Sequence, residues 1–463
     1  MSRTLALWLL LFAAYAATLG LNAFGASDYG GDEPHYLLAA ESIVEDGDVD
    51  VLDEYAARAY AEFYPYDLHR HGRTTEGRLN EPHGVGFPLL IAPAYAIGGV
   101  KGVELFLAAI AALAVALGYR LALRAATDPW ALGAALAVGL SPPFVAYGSA
   151  VYPELAAGTA LAGAALLALR LRARIVRVEA FMCFALLGAL PWLGTKFVPA
   201  GVLIGAFAAR QLWRARRRTL AVGAVELSLF SVAFYVAFNE SLYGGPTPYS
   251  ADTPGEGGTE ADFPGGYLDR IYRLVALFID REYGLLRWAP VFVLAFAGLW
   301  WLWRAHRERL AEAVPEVRGG LVAAALCAAA LGTQLLVAAF VAPTMFGFWF
   351  PPRHLLAALP LALPLVAMGL RHLPRLGSAL ALLTAAGSVW LYADVRWGDG
   401  SLVTGRPDAP FGPLTELFPL FQPGGGWPFW LAGVIGAGLL LLALREARAA
   451  RHSRQTAGAT RAR

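Results

Sequence analysis

Residues 319–341 read GGLVAAALCAAALGTQLLVAAFV, a run of 23 positions without one charged side chain. At about 1.5 Å per residue, a helix of this length covers a hydrocarbon core of ~30 Å. Only helices and closed barrels satisfy every backbone group in lipid. The run does not alternate with period two, so it reads as a transmembrane helix. Residues 5–24, 103–119, 129–153, 154–169 and 428–444 read the same way, each with at most one charge. The whole chain of 463 residues is 57% hydrophobic and 16% charged, against about 25% charged in an ordinary soluble domain. Spans are expected near 5–24, 103–124, 129–147, 154–171, 178–193, 196–213, 219–238, 287–303, 319–341, 354–370, 374–392 and 428–444. The fold class is therefore an all-α polytopic membrane protein of about twelve transmembrane helices.

Charge orders these spans. With the N-terminus and Arg3 in the cytoplasm, 24 of the 37 basic residues fall in short cytoplasmic loops or the tail, and about 28 of the 35 acids fall outside. That is the asymmetry of the positive-inside rule. Adding or removing one span would scramble it. The segment VGFPLLIAPAYAIGG (85–99) is apolar but short and broken by Pro88 and Pro93, so it reads as an interfacial or re-entrant piece on the outer side. The first apolar run is longer than the core of a signal peptide and reads as a retained span. The expected layout is one transmembrane domain, 1–444, in the cell (plasma) membrane. A basic cytoplasmic tail, 445–463, would lack regular structure and touch anionic lipid heads. Cys183 and Cys327 both lie in spans and read as packing residues.

Three outer loops are long: 25–102, 239–286 and 393–427. The first holds 14 acids between Asp28 and Glu81. Its HYLLAAESIVEDGD and DVLDEYAARAYAEFY stretches, and YLDRIYRLVALFIDREYGLL in the second loop, carry apolar residues at helical spacing, as amphipathic surface helices do. PGEGGTEADFPGG (254–266) is turn-rich. The densest chemical signal is GGDEPHY (30–36), where Asp32 and Glu33 stand side by side before a helix opened by Pro34. Repulsion between adjacent, partly buried carboxylates raises one pKa, which suits a general base; acids that merely complement a helix dipole are the plainer reading.

Polar residues also stand at the outer mouths of other spans. Glu154 opens one, Lys196 (one of two lysines in the chain) opens another, and Arg353 with His354 follows a double proline at a third. Such charges default to function, with snorkelling as the alternative. Asp46-Gly47-Asp48-Val49-Asp50 resembles alternating cation ligands, but reads better as a solvated acidic turn. His35, His69, His71 and His83 share the first loop without a zinc-type spacing, so no metal set is assigned, although a divalent cofactor is compatible with the acids. There is no Walker loop and no strand-bound GxGxxG, which disfavours ATP-driven pumping and nucleotide-sugar chemistry.

The first span followed by GDEPHYLLAAESIVEDGDVD, then HGVGFPLLIAPAYAIGG, YPE, PWLGTKF, FIDREYGLLRWAP and PPRHLLAALPL, in that order, resembles the GT-C class of integral-membrane glycosyltransferases. The nearest group is the dolichyl-phosphate-mannose–protein mannosyltransferase and aminoarabinose-transferase-like family. The resemblance implies an enzyme on the outer face that takes a sugar from a polyprenyl- or dolichyl-phosphate carrier and passes it, with inversion, to an acceptor hydroxyl of a lipid, glycan or protein. It implies Asp32 as catalytic base beside Glu33, Glu154 as a second acid, and Lys196, Arg353, His354 and His83 as ligands of the donor phosphate. It implies membrane lipids and the lipid-phosphate sugar as partners, and no nucleic acid. The chain lacks a WWDYG-type motif and a large soluble C-terminal domain, so transfer of a whole glycan to asparagine is not expected. A flippase for a lipid-linked sugar and a non-catalytic scaffold are the rival readings.

Overall fold

The computed structural model describes residues 2–72, 74–75, 77–251, 267–314, 317–403, 415–421 and 426–461. In chain order its helices are α1 Arg3–Ala16, α2 Glu33–Glu45, α3 Leu52–Ala57, α4 Gly86–Ala125, α5 Trp130–Gly139, α6 Pro142–Tyr147, α7 Glu154–Ala173, α8 Arg177–Gly188, α9 Leu190–Leu193 and α10 Val198–Arg214. They continue as α11 Arg218–Tyr243, α12 Arg273–Ile279, α13 Leu285–Trp288, α14 Val293–Arg307, α15 Leu310–Ala313, α16 Arg318–Leu336, α17 Arg353–Leu356, α18 Leu359–His372, α19 Pro374–Trp397 and α20 Trp427–Arg461. A two-stranded antiparallel hairpin, β1 Thr74–Thr75 with β2 Arg78–Leu79, is the one sheet among the described residues.

Six of these helical stretches are long and apolar enough to cross a membrane: Gly86–Ala125, Glu154–Ala173, Arg218–Ser250, Arg318–Val341, Pro374–Trp397 and Trp427–Glu446. Arg3–Ala16, Trp130–Gly139 and Leu359–His372 are apolar but shorter. Several expected spans are interrupted, among them 178–193 between α8 and α9, 287–303 between α13 and α14, and 354–370 between α17 and α18. The 5–24 run stops being helical at Ala16, and Arg396 of α19 donates to the carbonyls of Ala17, Leu19 and Gly20, satisfying the freed end of the helix. The 129–147 run breaks at Ser141, where Pro142 starts a new helix. The 85–99 segment is the first part of α4, set off from the rest by the non-helical backbone of Gly98 and Gly99.

The surface helices are shorter than their periodicity suggests. α2 ends at Glu45 and α3 at Ala57, where Arg58 takes a left-handed conformation before a 3-10 turn, Ala59–Glu62. In the second loop a 3-10 turn, Tyr267–Arg270, precedes α12. PGEGGTEADFPGG (254–266) lies outside the described residues. The basic tail, expected to be irregular, continues α20 as helix to Arg461.

α4 is the hub, touching α1, α2, α5, α7, α16 and α18. Around it Leu11, Tyr15, Val115, Val138, Leu294 and Leu363 form one buried core. A second core joins α7, α8, α10 and α16 through Leu161, Phe184, Ile204 and Leu326. Small residues let the backbones come close, as membrane helix packing requires. Gly298 of α14 lies against the Leu365 backbone of α18, and Gly369 of α18 lies against the Leu294 backbone of α14, so a Cβ at either position would strike a carbonyl. The outermost helices do the reverse: α11 exposes Leu229, Phe230 and Phe234, and α20 exposes leucines at 439–442. In a chain this apolar, such faces suit lipid.

Candidate active site

The Asp32 loop leaves α1 and is threaded into place by backbone. Gly31 has φ +59, and a Cβ there would meet the Phe348 carbonyl at 2.6 Å and the Tyr152 hydroxyl at 2.7 Å. Only glycine fits both the conformation and the space. Gly31→Ala is expected to push Asp32 out of register and to lower thermal stability. Thermal unfolding in detergent reads the effect.

Pro34, in the first turn of α2, has no N–H to leave unpaired there, and Asp32 sits in the N-cap position but makes no capping bond. Its carboxylate turns instead to Arg353, whose Nη2 donates to Oδ2 at 2.6 Å. Glu33 takes another direction. Its Oε2 accepts from the Gly30 N–H at 2.9 Å and its Oε1 from the Val151 N–H at 2.8 Å, pinning the first outer loop to the turn before α7. The adjacent acids therefore do not share a site.

Glu154, the first residue of α7, is fully buried. Its Oε1 accepts from Lys196 Nζ at 2.7 Å and from Arg353 Nε at 2.9 Å. Arg353, buried itself, thus bridges two carboxylates 122 positions apart in sequence, with its guanidinium over Tyr152 (4.3 Å) and beside Trp349 (5.2 Å). This is the geometry for which Arg is suited and Lys is not: a planar fork with separate donors, stacked on an aromatic face. Lys196, with 24% of its side chain exposed, is the most open of the four charges. The fold brings Asp32, Glu154, Lys196 and Arg353 into one cluster with balanced charge. A cleft of about 480 Å³ abuts it, lined by Asp28, Tyr29, Glu33, Glu104, Tyr152 and Trp349 among others.

His354 stands next to this cluster but faces elsewhere. Its Nε2 is 2.8 Å from the Thr344 carbonyl and its ring packs edge-on to Trp349 at 5.6 Å. His83 lies in a separate group with His35, His71 and Glu81. Sequence spacing gave no hint of that group, but TTEGRL (74–79) is a short hairpin signal. The pairing Thr74↔Leu79, turned at Gly77 (φ +79), folds residue 71 back onto residues 81–83. His69 is not in the group. In the 46–50 segment, Asp48 and Asp50 accept backbone N–H bonds from Asp50, Leu52 and Leu79, which makes it a turn scaffold. The aromatic supports Tyr152 and Trp349 were not singled out in sequence, because nothing in an aromatic residue's spacing says which cation it will carry.

Burial by itself would push the Asp32 carboxyl up; the Arg353 guanidinium outweighs it and holds the carboxyl well below the usual range. Asp32 is therefore an ionised acceptor across the physiological range. Glu33 goes the other way: burial pushes its carboxyl up to about 8, against the pull of its two N–H donors. Burial and the neighbouring imidazole of His35 lower His71 to about 3. For Glu33 the folded value lies above the unfolded one, so its contribution is full below about 4.5, the unfolded value, and is lost as pH rises toward 8. Glu33→Gln, which cannot ionise, is expected to lose less melting temperature than wild type between pH 5 and pH 8.5; equal slopes would contradict the assignment.

No known family's sequence model matches this chain, and no curated protein matches it in sequence. Solved structures do match in shape. ArnT from Cupriavidus metallidurans bound to undecaprenyl phosphate aligns at 14% identity over 85% of this chain and 65% of its own, with a TM-score of 0.50. The apo oligosaccharyltransferase of Archaeoglobus fulgidus aligns at 13% identity over 92% of this chain and 63% of its own, with a TM-score of 0.47. The chain thus spans somewhat under two-thirds of the length of these structures. The likeness to ArnT is one of fold: this chain shares the helical fold of that structure over 85% of its own length.

Proposed function

We propose that this protein is an inverting glycosyltransferase that moves a sugar from a polyprenyl-phosphate carrier to an acceptor hydroxyl on the outer face of the cell membrane. The observation that carries this reading is the buried bridge of Arg353 between Asp32 and Glu154, with Lys196 at its open edge. We place the cluster at the outer ends of about twelve spans, with both termini cytoplasmic and residues 1–444 forming one membrane domain, in keeping with the charge asymmetry of the loops. A lipid-phosphate sugar is already activated, which agrees with a chain that has no nucleotide motif. The ArnT structure that shares the fold was solved with undecaprenyl phosphate.

In this reading the donor phosphate first meets Lys196 and then competes for the Arg353 guanidinium. Each hydrogen bond that Arg353 gives to phosphate weakens its hold on Asp32, so donor binding makes Asp32 a better base. Asp32 takes the acceptor proton while the acceptor oxygen bonds the anomeric carbon from the face opposite the carrier. The bond from that carbon to the phosphate oxygen breaks, and the carrier leaves with one more negative charge. Arg353 stabilises that charge where it develops, while Lys196 holds the phosphate throughout. Glu154 holds both cations in place, and Glu33 fixes the loop without entering the chemistry. The acceptor is a hydroxyl of a lipid, a glycan or a protein, and it approaches by the cleft beside Tyr152 and Trp349.

Removing the exposed cation should act mainly on the donor. Lys196→Gln is expected to raise the donor KM by at least ~10-fold with a smaller change in kcat, because the charge meets phosphate in ground and transition states alike. The reading itself is tested by mixing the purified protein with polyprenyl phosphate and following the complex by native mass spectrometry. A 1:1 complex weakened in Lys196→Gln supports it. Absence of binding by the wild type, or equal binding by a polyprenyl alcohol lacking the phosphate, contradicts it.

A further inference from the structure

Three histidines converge in the first outer loop, beside the charged cluster. His35 lies in the first turn of α2, His71 precedes β1, and His83 follows β2 with Glu81 two positions before it. The imidazole centroids are 4.0 Å apart for His35 and His71, 5.1 Å for His35 and His83, and 5.0 Å for His71 and His83. His71 Nδ1 is 2.8 Å from His83 Nε2, and Glu81 Oε1 is 3.4 Å from His35 Nδ1. One ligating atom from each of the four residues lies within 4.8 Å of all the others. His35 and Glu81 are almost wholly buried, with side chains 2% and 4% exposed.

Packing alone does not account for this group. Three imidazoles share the Glu81 carboxylate, with Asp32 acting on His71 and His83 from the neighbouring cluster, and a nitrogen–nitrogen contact joins two of the rings. A fully protonated cluster would place like charges at about 4–5 Å in a buried site, which is costly. His35 Nδ1 also meets the Tyr55 hydroxyl at 2.9 Å. Neutral imidazoles gathered around one carboxylate are what a borderline-soft divalent ion binds. Tetrahedral coordination at ~2.0–2.1 Å puts neighbouring ligand atoms about 3.4 Å apart. The observed spread brackets that value, so small side-chain rotations suffice. The carboxylate is already oriented from outside, as ligating groups usually are: the Tyr55 hydroxyl donates to Glu81 Oε1 at 2.6 Å and the His71 backbone N–H donates to Oε2 at 3.3 Å.

We propose that His35, His71, Glu81 and His83 form a zinc(II) site of three nitrogen ligands and one oxygen ligand. Four protein ligands make it a closed, structural site. It ties the 71–83 segment to the first turn of α2, three positions beyond Asp32, and so fixes the ribbon that carries that residue. Three nitrogen donors disfavour calcium and magnesium, which take oxygen ligands.

The test needs no sugar-transfer assay, so it stands or falls separately from the transferase reading. Full-length protein purified in detergent without chelator is expected to carry about one equivalent of zinc by elemental mass spectrometry. After chelation, added zinc should bind 1:1, and cobalt(II) should give the intense visible bands of a four-coordinate ion. The double variant His71→Ala/His83→Ala should lose the metal, its folding judged by its size-exclusion profile. If that variant does not fold, the cobalt spectrum of the wild type decides. Wild type with less than ~0.1 equivalent and no added-zinc binding tighter than about 10 µM would overturn the proposal, as would a folded double variant that keeps its zinc, or a six-coordinate cobalt spectrum.

Discussion

The Asp32→Asn variant is expected to bind the lipid-phosphate donor and to transfer its sugar at least ~100-fold more slowly than wild type, a loss of roughly 2.7 kcal/mol of transition-state stabilisation. The amide keeps the shape of the carboxylate and can still accept one hydrogen bond from Arg353 Nη2, which now reaches Oδ2 at 2.6 Å. What it cannot do is accept the acceptor's proton. The effect should thus appear in kcat, with the donor KM within a few-fold. Because Arg353 holds the Asp32 carboxyl well below the usual range, its titration should not limit the wild type between pH 5 and 8. An acid limb of the rate profile in that window would assign the base to another group. Asp32→Asn with undiminished kcat would remove Asp32 from the chemistry altogether.

Arg353→Ala is the substitution expected to cost most in folding. Arg353 is buried and partners two carboxylates, so its loss leaves Asp32 without its cation and Glu154 with Lys196 alone. Removing one partner of a buried ion pair typically costs about 3–5 kcal/mol, because the remaining charge stays buried. The expected result is a large fall in melting temperature in detergent together with loss of transfer. Arg353→Lys separates the two roles. It restores one charge but not the two differently directed donors, Nε and Nη2, nor the planar stack on Tyr152. It should regain most of the stability while transfer stays at least ~10-fold down. A Lys variant with wild-type transfer would show that charge alone suffices at this position.

How much of this was legible in the sequence differs by element. The 319–341, 154–171 and 374–392 runs became continuous helices because nothing in them competes with the helical backbone. The 129–147 run did not, since Pro142 cannot continue a ladder and Ser141 takes an extended conformation before it. The first run ended early for a tertiary reason: Arg396, some 380 positions away, satisfies the carbonyls that a longer helix would have used. Asp32, Glu154, Lys196 and Arg353 could each be picked out as a charge at the mouth of an apolar run. Their union could not, because Arg353 lies 321 positions from Asp32 and no periodicity spans that distance. Adjacency misled in the other direction. Asp32 and Glu33 look like a pair, but consecutive residues at a helix start point apart, and Glu33 spends both oxygens on backbone N–H groups. The histidines were hidden by a two-residue turn whose strands are only two residues long.

The central claim, sugar transfer from a lipid phosphate, is tested most directly in vesicles holding the purified protein, supplied with radiolabelled polyprenyl-phosphate sugars and cell-envelope acceptors. The account predicts label on an acceptor, with the anomeric configuration inverted relative to the donor, and no label beyond background when Asp32→Asn replaces wild type. Labelled lipid that crosses between leaflets without any transfer would contradict it and mark the protein as a carrier of the lipid-linked sugar.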